Sequence, residues 1–265
     1  MKLPRLPDLL TTANLSCGVA SILFASQGQL TLACVLVFAG ALFDVLDGLA
    51  ARALGGGSEL GKQLDSLADM VTFGVAPAFA LYLVASEISG TAARWTAYPP
   101  LAAVHEPIRF DNWPVFFGAM GLVVASCWRL ARFNVDSRQS SGFLGLPTPA
   151  NALFWSSLCL VAGPDWRFFD TPAKLLSMIL AGPYLTMIVA LLMSALMLSS
   201  IPLPSLKFKH AKWKGNEVIY LLIGMGAVLI ALYGVLAVPL ILVVYLLSPL
   251  WGKLFKQVSS PKSKG

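Results

Sequence analysis

Long apolar stretches separated by short polar breaks run the length of the chain. They fall near residues 12–28, 30–54, 63–85, 113–135, 148–163, 175–198, 217–234 and 236–251. A helix needs about 20 residues to cross a hydrocarbon core about 30 Å thick, so the pattern predicts membrane-spanning helices. The stretches at 148–163 and 236–251 are short for a span. Gly234 and Pro239 interrupt the last pair, which reads as a helical hairpin. The expectation is an all-α polytopic membrane protein of about eight helices, with six or seven spans as the alternatives. A retained first span is expected at the N-terminus rather than a cleaved leader, because Pro4, Pro7 and Asp8 interrupt the basic start.

Composition agrees with the bilayer as solvent. Hydrophobic residues make up 57% of the chain and charged ones 12%, against about 25% charged in an ordinary soluble domain. The positive charge has a sidedness. If both termini are cytoplasmic, Arg94, Arg109, Arg167 and Lys174 lie outside, and the other fifteen of the 19 Lys and Arg lie inside. That asymmetry predicts a cell (inner) membrane protein with both ends cytoplasmic. The net charge of +6 then belongs at anionic lipid headgroups, not on nucleic acid. Cys17, Cys34, Cys127 and Cys159 sit in or beside apolar runs and read as packing residues, with neither a disulfide framework nor a zinc spacing.

Against this background four carboxylates stand out. Asp44, Asp47, Asp65 and Asp69 occupy the predicted cytoplasmic ends of the second and third spans, where ionisable groups are costly and usually functional. At 100° per residue, Asp44, Asp47, Gly48 and Ala51 share one stripe of a helix, and Gly61, Asp65 and Asp69 share another at i, i+4, i+8. A turn at Gly55-Gly56-Gly57 lets the stripes face each other. Such a cluster repels itself at reduced dielectric unless cations or protons compensate it. Oxygen-only ligands select Mg²⁺, Mn²⁺ or Ca²⁺, and two such ions suit a pyrophosphate. Small residues at Gly48, Ala51 and Gly61 leave room for a nucleotide, and Arg52 adds a fixed charge for phosphate.

These residues carry a family resemblance. The run Asp44-x2-Asp47-Gly48-x2-Ala51-Arg52-x8-Gly61-x3-Asp65-x3-Asp69 resembles the complete signature of the CDP-alcohol phosphatidyltransferases. The resemblance implies a six-helix catalytic core, usually a homodimer, with its site at the cytoplasmic leaflet. It implies that Asp44, Asp47 and Asp65 bind a two-metal centre, and that Asp69 ligates one metal and acts as general base. Gly48, Arg52 and Ser58 match positions that contact the CDP-lipid, and Asn14 matches, more loosely, a segment that approaches the cytidine. Three further stretches resemble the membrane-embedded phosphatidylserine synthases within that family: Asp65–Asp69 running to Phe73–Ala78, Arg129–Asn134, and Gly145–Ala150. The resemblance spans roughly residues 8–200.

The expected reaction is transfer of a phosphatidyl group from CDP-diacylglycerol to L-serine with release of CMP. Arg129 and Arg132 are the expected acceptor-binding residues, Arg132 for the serine carboxylate and Arg129 for stability or donor phosphate. Their alternative role is positive-inside anchoring by snorkelling side chains. Glycerol 3-phosphate or inositol phosphate as acceptor is one rival, and a divalent-cation transporter using the four aspartates is another. The Gly-Ala-Arg elements between the acidic pairs have no obvious role in transport. The expected layout is a catalytic membrane domain over 1–200, a basic cytoplasmic loop over 201–215, a helical hairpin over 216–252 and a disordered tail over 253–265.

Overall fold

A computed structural model describes residues 5–88, 112–135, 143–162, 178–203 and 217–258. The chain starts with α1 (Leu6–Ser26), whose first turn is closed by the Arg5 backbone N–H donating to Asp8 Oδ2 at 2.9 Å. Pro7 sits in that turn, where no N–H is needed. A tight turn leads into α2 (Leu30–Ala53), and the two helices pack side by side along their lengths. After α2 the backbone enters the left-handed region at Gly55 (φ 88°) and Gly56 (φ 113°), a conformation costly for any residue with a Cβ. This reversal brings α3 (Glu59–Asp69) back against α1. Ser58 Oγ caps α3 by accepting from the Gly61 N–H at 2.9 Å, as N-cap serines do.

From Met70 to Val75 the helix widens into a π-helical turn, then continues as α4 (Ala76–Ile88). The rod from Glu59 to Ile88 is long and apolar enough to cross a membrane. π-turns inside α-helices frequently occur at functional sites. Here Thr72 Oγ1 donates to the Asn14 carbonyl at 2.9 Å. Gly18 of α1 and Gly40 of α2 let three helices meet at this threonine. A Cβ on Gly40 would stand 2.5 Å from Thr72 Cγ2 and 3.0 Å from Asn14 Oδ1, and one on Gly18 would stand 2.8 Å from Thr72 Cα. Small residues at such crossings are what permit close helix approach in a bilayer.

The remaining helices are α5 (Trp113–Val135), α6 (Thr148–Ala162), α7 (Pro183–Leu198), α8 (Glu217–Tyr233) and α9 (Ala237–Val258). A two-residue antiparallel pairing, β1 (Phe143–Leu144) with β2 (Pro202–Leu203), ties the entry of α6 to the exit of α7. Apart from this clip the described residues are all-α, and the helices follow the apolar stretches. Among the described residues five helical segments have the length and hydropathy of a span, with α8 and α9 forming one of them between Tyr220 and Leu247. The core lies between α4, α5, α6 and α7, around Leu81, Leu122, Trp155 and Leu158. Large apolar side chains such as Leu42, Val124, Ile188 and Leu232 are more than half exposed on outer faces, as expected where lipid replaces water.

Two boundaries differ from expectation. The stretch at 175–198 is not one helix: a helical turn at 178–181 ends at Gly182, which is extended (φ −100°, ψ 103°), and α7 begins at Pro183. A residue preceding proline is pushed out of the helical region. At the other end, α9 continues to Val258, past the expected end at 252. The predicted break in the last pair is a 3-10 turn (Gly234–Leu236) with Gly234 at φ 55°, and Pro239 falls in the first turn of α9. Most of the expected basic loop and the end of the tail lie outside the described residues.

Candidate active site

The two acidic stripes meet. Carboxylate oxygens of Asp44, Asp47 and Asp65 lie within 4.8 Å of one another. Asp44 and Asp65 are half-buried, and Asp47 is buried. One Asp65 oxygen is enclosed and has no hydrogen-bond partner among the described residues. Three oxygen ligands at this separation, one of them orphaned, fit a hard divalent cation. Asp69 lies one helical turn further along α3, buried at 7% exposure, and its Oδ1 accepts from Asn14 Nδ2 at 3.0 Å. This hydrogen bond leaves Oδ2 for another partner.

The first helix contributes more than the sequence suggested. Thr11 was not among the expected site residues. It is buried, and its hydroxyl lies 2.7 Å from Asp47 Oδ2 and 3.0 Å from the Pro7 carbonyl. Asn14 is fully buried one turn later. Their i, i+3 spacing, which puts both on one helix face, was the available signal. Asn14 Oδ1, like the Asp65 oxygen, has no partner among the described residues.

Beside the acidic cluster an open cleft of about 120 Å³ is bounded by Asp47, Gly48, Ala51, Ser58, Gly61 and Asp65. Small residues form much of its wall. Arg52 is exposed, and its Nη1 lies 3.7 Å from where a Gly48 Cβ would stand, so the guanidinium arches over the glycine. Ser58 reaches the cleft while capping α3. Lys62 also lines it, but its ammonium pairs with Glu59 at 2.8 Å on the surface.

The two arginines of α5 are in different settings. Arg129 is buried at 7% exposure, with Nη1 donating to Thr148 Oγ1 at 3.1 Å. Among the described residues its Nε has no hydrogen-bond partner and no carboxylate pairs with it as a salt bridge. It interacts electrostatically with Asp69 and with the buried Tyr245 of α9. Arg132 is exposed, and its Nη1 donates to the Leu198 carbonyl at 3.1 Å, a cation on the last carbonyls of α7. Close by, Asn134 Nδ2 donates to Ser66 Oγ at 2.9 Å, fastening the end of α5 to α3.

Facing carboxylates, a cradle of small residues and a buried cation occur together in a multi-pass helical membrane protein. Residues 5–247 match the family model of the CDP-alcohol phosphatidyltransferases. The chain belongs to that family and is a transferase. It is 32% identical over 232 residues to a Helicobacter pylori (strain ATCC 700392 / 26695) protein named CDP-diacylglycerol--serine O-phosphatidyltransferase, an alignment covering 84% of this chain and 81% of that one. A Bacillus subtilis (strain 168) protein of the same name is 30% identical over 156 residues, covering 59% of this chain and 73% of that one. The archaetidylserine synthase of Methanothermobacter thermautotrophicus is 37% identical over 157 residues, 58% of each chain.

Proposed function

We infer that this protein is a CDP-diacylglycerol-dependent serine phosphatidyltransferase. The observation that carries the reading is the meeting of the Asp44–Asp47–Asp65 cluster, with Asp69 a turn further on, and a buried Arg129 whose Nε has no hydrogen-bond partner among the described residues, in a chain similar to serine-transferring relatives along most of its length. CDP-diacylglycerol binds with its acyl chains between the helices. Its nucleotide lies in the cleft formed by Gly48, Ala51, Ser58 and Gly61, with Arg52 over the phosphates. Asp44, Asp47 and Asp65, with Asp69 alongside, would hold Mg²⁺ or Mn²⁺ (Ca²⁺ being the other hard-ion option), which supply positive charge to the pyrophosphate.

Asp69 is the general base. Held by Asn14 through Oδ1, it takes the proton of the serine hydroxyl. The serine oxygen forms a bond to the lipid-bearing phosphorus, and the bond to CMP breaks, the electron pair leaving with CMP. A direct displacement needs no protein nucleophile. Arg129, rather than the exposed Arg132 expected from the sequence, takes the serine carboxylate through its unpartnered Nε. A buried cation with no salt-bridge partner among the described residues is costly, so an anionic substrate group there recovers part of that cost. A single buried arginine suits a monoanion better than the dianionic phosphate of glycerol 3-phosphate or inositol phosphate. A cation transporter would leave Arg129, Arg52 and the glycines without a role.

The remaining arrangement follows from charge and family. The enzyme works as a homodimer with both termini and the site at the cytoplasmic leaflet of the cell membrane, residues 1–200 forming the catalytic domain. An acceptor screen tests the reaction: purified protein, CDP-diacylglycerol and radiolabelled serine, glycerol 3-phosphate or inositol phosphate, scored by lipid-extractable counts and CMP. Serine alone should be incorporated. Incorporation of glycerol 3-phosphate in its place, or ion flux into proteoliposomes without CMP release, would replace this reading.

A further inference from the structure

We propose that Asn151 is a specificity-determining residue whose Oδ1 receives the α-ammonium group of the acceptor, so that Arg129 and Asn151 together recognise a zwitterion. Asn151 lies one helical turn beyond Thr148 on α6. Residues at i and i+3 stand on the same face of a helix. That face is fixed by Thr148, whose hydroxyl accepts from Arg129 at 3.1 Å. Asn151 is 1% exposed, and its Oδ1 has no hydrogen-bond partner among the described residues.

Two complementary orphans therefore belong to neighbouring positions: a donor, Arg129 Nε, and an acceptor, Asn151 Oδ1. Each buried polar group left unpaired costs about 1–3 kcal/mol, and native interiors rarely leave such groups unpaired. The two groups do not pair with each other. A ligand with an acceptor at one end and a donor at the other satisfies both. An α-amino acid has that pattern, with its carboxylate for the guanidinium and its ammonium for the amide oxygen. Glycerol 3-phosphate and inositol phosphate have no cationic donor to offer Asn151. Trp155 Nε1, a turn further along α6, also lacks a partner among the described residues, but an indole N–H only donates and cannot hold an ammonium.

This inference rests on serine being the acceptor, and its test separates the two. Wild-type enzyme and Asn151→Leu are compared with L-serine and with 3-hydroxypropionate, which keeps the hydroxyl and carboxylate and lacks the ammonium. The comparison uses kcat/KM, or Ki against serine where transfer falls below detection. Loss of a hydrogen bond to a charged group should raise the serine KM about 10–100-fold, with 3-hydroxypropionate changed less than about threefold and the CDP-diacylglycerol KM unchanged. Discrimination between the two acceptors should collapse. Asn151→Asp, which keeps the acceptor oxygen, should preserve it. Should Asn151→Leu fail to accumulate in the membrane, Asn151→Val, which also lacks an acceptor, is read on the same ratio. Equal loss toward both acceptors, or an unchanged ratio, overturns the role of Asn151. A wild-type enzyme that transfers nothing to serine overturns the serine reading instead.

Discussion

Asn14 Nδ2 donates to Asp69 Oδ1 at 3.0 Å, joining two fully or nearly fully buried side chains 55 residues apart. The bond turns the free oxygen of the proposed base in one direction. Asp69→Asn keeps the shape and an oxygen but removes basicity, so turnover should fall by about 10²–10⁴-fold or more while CDP-diacylglycerol still binds. Asn14→Leu should lower kcat by about 10–100-fold through misorientation of Asp69. Single-turnover kinetics beside a donor-binding assay would check both, and unchanged turnover in Asp69→Asn would remove it as the base.

The oxygen-only cluster leads to a metal dependence. Activity should disappear with a chelator and return with Mg²⁺ or Mn²⁺. Asp44→Asn and Asp65→Asn should raise the ion concentration needed for half-maximal rate as well as lower the rate. Titrating the ion against CMP release measures this, and full activity in metal-free buffer contradicts it.

Arg129 and Arg132 should separate cleanly. Arg129→Ala removes the buried cation and should raise the serine KM by about 10–100-fold with little change for the donor. Arg132→Ala removes a contact to the Leu198 carbonyl, a helix-end interaction worth about 0.3–1 kcal/mol. It should lower thermal stability slightly and leave the serine KM within about threefold. Steady-state kinetics with each substrate varied, together with melting curves in detergent, would distinguish them. The opposite pattern would move the acceptor site to Arg132.

Gly40 is a packing prediction. A side chain there would collide with Thr72 and crowd Asn14. Gly40→Val should destabilise the fold by about 1–3 kcal/mol and reduce activity through displacement of Asn14. Gly224, inside α8 and with nothing within 4 Å of a Cβ, is the control, and Gly224→Ala should leave thermal stability unchanged or slightly raised in the same assay.

Charge sidedness gives a topological expectation. Reporters fused at the C-terminus or inserted between residues 53 and 60 should be cytoplasmic, and one near Pro99 external. An external 53–60 segment would be incompatible with a cytoplasmic CDP-lipid site.

Helix positions, the acidic stripes and the glycine turn were legible from the sequence because they depend on local periodicity. Asp44 and Asp47 share a helix face whatever else the chain does, and Asp65 and Asp69 do likewise. Lipid solubility and charge asymmetry follow from composition. Which face of each helix turns inward was not legible. In a bilayer both lipid-facing and protein-facing sides are apolar, so amphipathic patterning does not distinguish them. That is why Thr11 beside Asp47 and Asn14 beside Asp69 required the folded structure, as did the contrast between buried Arg129 and exposed Arg132. Tyr245 is the furthest case. The last two helices carried no functional signal in sequence, yet α9 packs on α6 and brings Tyr245 to Arg129. The sequence by itself determined which residues are chemically capable and which share a helix face. Tertiary packing alone decided which of them meet, because those partners lie tens of residues apart and are selected by the close fit of small residues where helices cross.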